Sequence, residues 1–283
     1  MLNTNEKYVF GRDKQESKRL DAQHDLLFKV TENTLIHPKI PKDTIVSVAD
    51  IATGTGLGSI WLKDTSEMLD KVDGHRCYYH GFDISAAQFP EDSETIAFSV
   101  HDITQPFPEE HWNRYDLVHV RLLVAAIEES EYRSAVCNIH QILKPGGYLQ
   151  WEEIDEDTYI SKDNPVFWEV RRCFDASFKA EKKCFQASAK IFEECMGAGY
   201  QEVERLTYSS DWDSKLRLET EGRFVAIFET LYASLLLRSG EVNSELAARR
   251  RTEELIKQYK SLCEVGNSPP VKLMRVIAQK QII

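Results

Sequence analysis

Apolar positions in the first half of the chain fall into short runs. They lie at 45–51 (Ile45, Val46, Val48, Ile51), 77–83, 95–102, 115–123 and 148–152. Each run reads as a buried strand, and helical stretches separate them. The clearest of these is 132–143, amphipathic and ended by Lys144-Pro145-Gly146-Gly147. Strands alternating with helices predict a doubly wound, mostly parallel α/β sheet with helices on both faces. Ahead of it, 15–35 reads as a helix with Leu20, Leu27 and Val30 or Phe28 on one face, and Pro38 and Pro41 then break the chain. After Glu153 the rhythm changes. Residues 164–178 and 188–198 predict helices, the second stopped at Gly199, while 202–208 and 271–278 alternate as two final strands of a seven-stranded sheet. Between them, 219–237 and 243–263 predict two helices that a minimal sheet does not need. The expected organisation is a helical cap over 1–42, a core over 43–160, and lid helices with the last strands of the same domain over 161–283.

The first strand carries the most specific chemistry. It reaches Asp50 and runs into Gly54, Gly56 and Gly58, after which an apolar helical stretch begins. A glycine turn in that place lets the backbone approach a ligand and aim amide N–H groups at it. A dinucleotide fingerprint would need its third glycine at position 59, which is Ser59. The spacing is instead G-x-G-x-G after an acidic residue.

Later segments extend the pattern in order. Asp83 ends the second strand and Asp102-Ile103 the third, Asp116-Leu117-Val118-His119-Val120-Arg121 forms the fourth, and Leu143-Lys144-Pro145-Gly146-Gly147 precedes the fifth. Together these resemble the motifs of class I S-adenosylmethionine (SAM) methyltransferases, with their Rossmann-like fold and helical lid elements at both ends. The likeness covers 45–153 closely and the remainder by order of elements. Tyr8-Val9-Phe10-Gly11-Arg12, Arg19-Leu20-Asp21-x-Gln23-His24 and the fourth strand narrow it. They resemble the fungal secondary-metabolism methyltransferases, a group that includes LaeA-like regulators and gliotoxin-type thiomethyltransferases.

The resemblance implies SAM as cofactor and S-adenosylhomocysteine as product. It places cofactor contacts on Arg12, Asp50, Ala52, Gly54, Gly56, Asp83, Ile84, Asp102, Ile103 and Arg121. A carboxylate at Asp83 suits the two ribose hydroxyls, because charge-assisted acceptance is stronger than neutral acceptance. By resemblance Asp102 reaches the adenine amine, Ile84 and Ile103 flank the ring, and Arg121 faces the methionine part. Capping by Asp102 and surface pairing by Arg121 stay open as alternatives. Phe167, Trp168, Phe228 and Tyr232 in the later helices are the expected substrate wall, and core packing is the alternative for that aromatic stripe.

Composition narrows the acceptor. Among 283 residues the formal net charge is −11, which disfavours a polyanionic partner such as nucleic acid. The fourth strand is followed by Leu122-Leu123-Val124 rather than the proline-aromatic turn of nucleobase methyltransferases, so a small-molecule acceptor is expected. Six scattered cysteines without a C-x-x-C pair fit reduced thiols in the cytoplasm, and residues 1–7 lack a basic-then-apolar leader. No apolar run approaches the roughly 18 residues of a membrane span. His75, Cys77 and His80 lie close together, but Cys77 and His80 differ in strand parity, so no metal is expected. No general base announces itself. His24, His119 and Glu152 are the candidates, and a thiol or dithiol, already partly ionised near neutral pH, is the first-choice acceptor for in-line methyl displacement. O- or N-methylation and a SAM-binding regulatory role are the alternatives. Oligomeric state is left open.

Overall fold

The computed structural model describes residues 14–54, 60–70, 77–90, 93–154, 164–265, 267 and 270–282. Side chains of 14–19, 21, 223, 224, 226, 227 and 229–231 are not described. Arg12, Gly56, Gly58 and His75, and the side chains of Phe224, Ile227 and Leu231, therefore lie outside the described residues.

The chain builds one seven-stranded sheet in the order β3-β2-β1-β4-β5-β7-β6. The strands are β1 (Ser47–Ile51), β2 (Tyr78–Asp83), β3 (Ile96–Val100), β4 (Tyr115–Arg121), β5 (Leu143–Ile154), β6 (Tyr200–Ser209) and β7 (Lys272–Lys280). Pairing is parallel from β3 to β5, and β7 runs antiparallel to both β5 and β6. Strand order reverses at β1, with β2 on one side and β4 on the other. Such a reversal marks the place, at the cleft outside the carboxyl ends of these strands, where open α/β sheets bind ligands.

Strand alternation sorts residues onto two faces. Ala49, Val118, Val120, Leu149, Trp151 and Val276 join a core with α3 (Tyr132–Ile142) and α5 (Ala187–Gly197). Val48, Leu117 and Ile277 face the other way, against Trp61 and Leu62 of α2 (Ile60–Leu69). Cys77 packs with this second set, whereas the His80 ring stacks on Phe82 of the first. The parity difference thus separates those two side chains. Among the described residues no cluster of three His, Cys, Asp or Glu side chains is placed to hold a metal ion.

Several element bounds differ from expectation, and two of them have a cause visible in the backbone. Helix α1 (Lys14–Val30) stops short of residue 35, because Glu32 and Asn33 take left-handed φ angles of 54° and 58° that close its C-terminus. β5 begins at Leu143, so the Pro145-Gly146-Gly147 segment belongs to the strand as an irregular entry with a register shift opposite Tyr115 and Leu117. A Cβ on Gly147 would sit 2.9 Å from the Tyr115 carbonyl, so only glycine permits that approach.

Beyond β5, α4 (Pro165–Ala180), α6 (Ser214–Arg238) and α7 (Glu245–Glu264) form a bundle with its own core. Pro165 at the first turn and the Asn164 side chain, which accepts from the Val166 N–H, start α4. Leu26, Leu27 and Val30 of α1 meet Leu216 of α6 and Leu273 of β7, tying the cap to the bundle and the sheet. No described helix is long and apolar enough to cross a membrane.

Candidate cofactor site

Strands β1, β2, β3 and β4 end at one edge of the sheet and deliver Asp50, Asp83, Asp102 and Arg121 there. After β1, Ala52 adopts φ 57° and Gly54 φ 71°. A left-handed alanine is unusual, and the turn holds it there against its steric preference. The Thr53 N–H donates to the Phe82 carbonyl at 3.0 Å, so the turn leaves the sheet still tied to β2. The Gly54 N–H donates to Asp83 Oδ2 at 3.0 Å, and the Ser85 N–H to Oδ1 at 3.1 Å. The β2 carboxylate is thereby fixed against the glycine turn. The next residue, Ile84, is 49 % exposed. Asp102 Oδ1 accepts from the N–H and hydroxyl of Thr104 at 2.9 and 2.8 Å, so the turn-capping alternative is present there. Ile103 is buried, and its carbonyl accepts from Asn138 at 2.8 Å.

Beneath the cleft lies a buried polar network. Asp50 Oδ1 accepts from His119 Nδ1 at 2.7 Å, and Oδ2 from the Thr53 hydroxyl at 2.9 Å. The His119 ring stacks on Trp61, centroids 3.8 Å apart at 5°. Its Nε2 lies 3.7 Å from Glu152 and has no hydrogen-bond partner among the described residues. Arg275 of β7 reaches Glu152 Oε1 at 2.8 Å through Nε and 2.6 Å through Nη2, and donates to the Thr34 carbonyl. Burial pushes the Glu152 carboxyl up, but the Arg275 guanidinium, with Arg121, more than offsets it and holds the group well below the usual carboxylate range.

Arg121 is not on an open surface paired with solvent-facing partners. Its Nη2 donates to His24 Nδ1 at 3.2 Å, and His24 Nε2 donates to Asp64 Oδ2 at 3.1 Å. Arginine can only donate and a carboxylate only accept, so the partners fix the His24 tautomer. Burial, then the Arg121 charge, lowers the His24 pKa, which agrees with a neutral ring. The cap approaches the turn as well: Leu20 Cδ1 lies 3.8 Å from where a Cβ on Gly54 would stand.

The three expected base candidates thus have their polar atoms occupied or buried. Both His24 nitrogens are partnered, His119 is 1 % exposed, and Glu152 is ion-paired. The aromatic candidates divide. Phe167, Phe228 and Tyr232 are buried in the helical bundle, with Phe228 stacked on Tyr232 at 4.9 Å and the Tyr232 hydroxyl donating to Glu169 at 2.6 Å. Trp168 alone of the four is open to solvent, 58 % exposed.

Sequence reasoning missed Thr53, Trp61, Asp64, Glu153 and Arg275. Glu153 is fully buried and accepts from the N–H groups of Leu123 and Val124 at 2.8 and 3.2 Å and from Trp151 Nε1 at 2.8 Å. Burial pushes its carboxyl up to about 7, against the pull of those donors. For Arg275 a signal existed: it shares a strand face with the apolar Leu273 and Ile277, where a lone charge requires a buried partner.

The residues present fit SAM by the chemistry of their donors and acceptors. A carboxylate and an exposed isoleucine stand at the end of β2, a left-handed glycine turn ends β1, and a guanidinium ends β4. The comparisons agree. Residues 49–150 match the family described as "Methyltransferase domain". Over that stretch, just over a third of the chain, the protein is similar to SAM-dependent methyltransferases, the class that uses SAM as its cofactor. In sequence it is similar to several fungal proteins. It is 41% identical over 159 residues to methyltransferase grgD of Penicillium sp., a match covering 55% of this chain and 55% of grgD. It is 33% identical over 149 residues to N-methyltransferase gliN of Aspergillus fumigatus, covering 52% of this chain and 50% of gliN. Secondary metabolism regulator LAE1 of Hypocrea atroviridis is 28% identical over 169 residues, covering 58% of this chain and 46% of LAE1. These matches span about half the length of each curated relative.

Proposed function

We propose that the protein transfers a methyl group from SAM to a nitrogen or sulfur nucleophile on a compact small molecule of fungal-type secondary metabolism. The observation that carries the reading is the Asp83 carboxylate hydrogen-bonded to the Gly54 amide at the crevice edge. SAM supplies the methyl on a sulfonium, and the acceptor displaces it in line. The chain's own contribution is positioning: carboxylates and amides at the strand ends hold the cofactor, and α1 approaches the same turn through Leu20 and His24. The base candidates His24, His119 and Glu152 are already engaged or buried, which favours an acceptor that reaches its nucleophilic form with little help. A thiol does so by partial ionisation, the reason sulfur is the first choice on sequence alone. An amine does so as its free base, and the printed names of gliN and of sirN from Leptosphaeria maculans, both N-methyltransferases, support nitrogen equally. Net acidity supports an acceptor that is not a polyanion.

A second reading follows from the match to LAE1, printed as a regulator. In it the domain binds SAM without a small-molecule acceptor. Incubation with methyl-labelled SAM and parallel sets of dithiol, amine, amide and phenol metabolites, followed by mass spectrometry, separates the two. Labelled product from a nitrogen or sulfur acceptor is the expected result. Product from phenols alone overturns the acceptor class, and tight SAM binding with no product from any set favours the regulator.

A further inference from the structure

The buried network below the cleft contains an imidazole that no proposed step uses. Given the SAM reading of the cleft, we propose that His119 is a positioning residue of the cofactor site. Its Nδ1–H holds the Asp50 carboxylate, and Asp50, through Thr53, holds the turn at Gly54 in the shape that receives SAM.

The direction of each bond supports this. A carboxylate only accepts, so His119 carries its proton on Nδ1 toward Asp50 Oδ1, at 2.7 Å. The Thr53 hydroxyl holds the other oxygen at 2.9 Å, so the carboxylate cannot rotate without breaking one of the two bonds. Thr53 is bonded in turn to Phe82, and the next residue, Gly54, to Asp83. A hydrogen-bonded path thus runs from β4 through the β1 acid and the glycine turn to the β2 acid. His119 stands at its buried end.

The other half of the ring explains why histidine is there. Stacking on Trp61 and filling the slot are tasks that a phenylalanine would perform. Histidine adds a buried Nε2 with no hydrogen-bond partner among the described residues, 3.7 Å from an ion-paired Glu152. A buried polar atom left unpaired destabilises a fold. What the imidazole supplies in return, and phenylalanine does not, is the donor to Asp50.

Two substitutions separate donor from ring. His119→Phe keeps the stacking and loses the donor. His119→Asn places an amide N–H near the Nδ1 position and loses the stacking. SAM affinity of the full chain is measured by titration calorimetry, beside the ligand-free melting temperature. The expected result is a SAM Kd about tenfold weaker in H119F and close to wild type in H119N. The Asn variant should melt below the Phe variant, because it vacates packed volume against Trp61. A structural role would instead make affinity follow melting temperature, with H119N the weaker binder. That order, or wild-type affinity in H119F, overturns the proposal. A wild-type chain that does not bind SAM overturns the reading of the cleft itself.

Discussion

Removing the Asp83 carboxylate tests the cofactor site with little disturbance to the core, because the group stands at the cleft edge and is only partly buried. Its Oδ2 takes the Gly54 N–H at 3.0 Å and Oδ1 the Ser85 N–H at 3.1 Å. A carboxylate has about four acceptor positions, more than the Gly54 and Ser85 amides occupy, and ribose hydroxyls are donors of the kind it accepts. Asp83→Ala deletes the ribose acceptor and also frees the Gly54 amide that helps shape the turn. Bonds to a charged partner contribute about 1.5–3 kcal/mol, which corresponds to a SAM Kd weaker by roughly 10- to 150-fold. Water can reach both amides at the cleft edge, so the loss in folding stability should stay near 1 kcal/mol. Asp83→Asn should recover little, because its amide N–H would face the donors of Gly54 or Ser85. Calorimetry with SAM and S-adenosylhomocysteine, paired with thermal melts of the free proteins, measures both quantities. An Ala variant with wild-type melting and unchanged Kd would refute the ribose role.

The buried pair of Arg275 and Glu152 supports the floor of the site. Arg275→Met leaves that carboxylate uncompensated and should cost about 3–5 kcal/mol in urea unfolding, while adding Glu152→Leu should restore most of it. A single variant within 1 kcal/mol of wild type, itself a small effect, would contradict the pairing. Glu153 gives a pH dependence. Its carboxyl is raised by burial from 4.5 to about 7, so between those values the unfolded chain has released a proton that the folded chain keeps. Its contribution therefore falls as pH rises through that window, by at most about 1.4 kcal/mol per pH unit, and is fully lost above it. Glu153→Gln should flatten that part of the stability curve; parallel curves for the two proteins would exclude the shift.

The aromatic residues show why a wall of a cavity is hard to read from periodicity. Phe167, Phe228 and Tyr232 have helical spacing that serves a cavity wall and a bundle core equally, and α7 decides between them by covering that face. The first strands were easier. Their runs, the acid ending each and the glycine turn between β1 and α2 are local patterns, set by backbone sterics and burial within a few residues. The helix end near Val30 was misplaced because its stop signal, two left-handed residues at Glu32 and Asn33, carries no glycine.

By itself the sequence determined the alternating α/β core and an acid at the end of each early strand, patterns that depend on neighbours within one turn or one strand. The class of cofactor those ends suit came from their resemblance, taken in order, to SAM methyltransferase motifs. Only the tertiary structure decided what the polar groups beneath the cleft do. Arg275 meets Glu152 across 123 positions, His119 meets Asp50 across 69, and Arg121 meets His24 across 97. Such pairings follow from sheet order and from the need of each buried charge or ring nitrogen for a partner, and no local pattern encodes which partner the fold will bring.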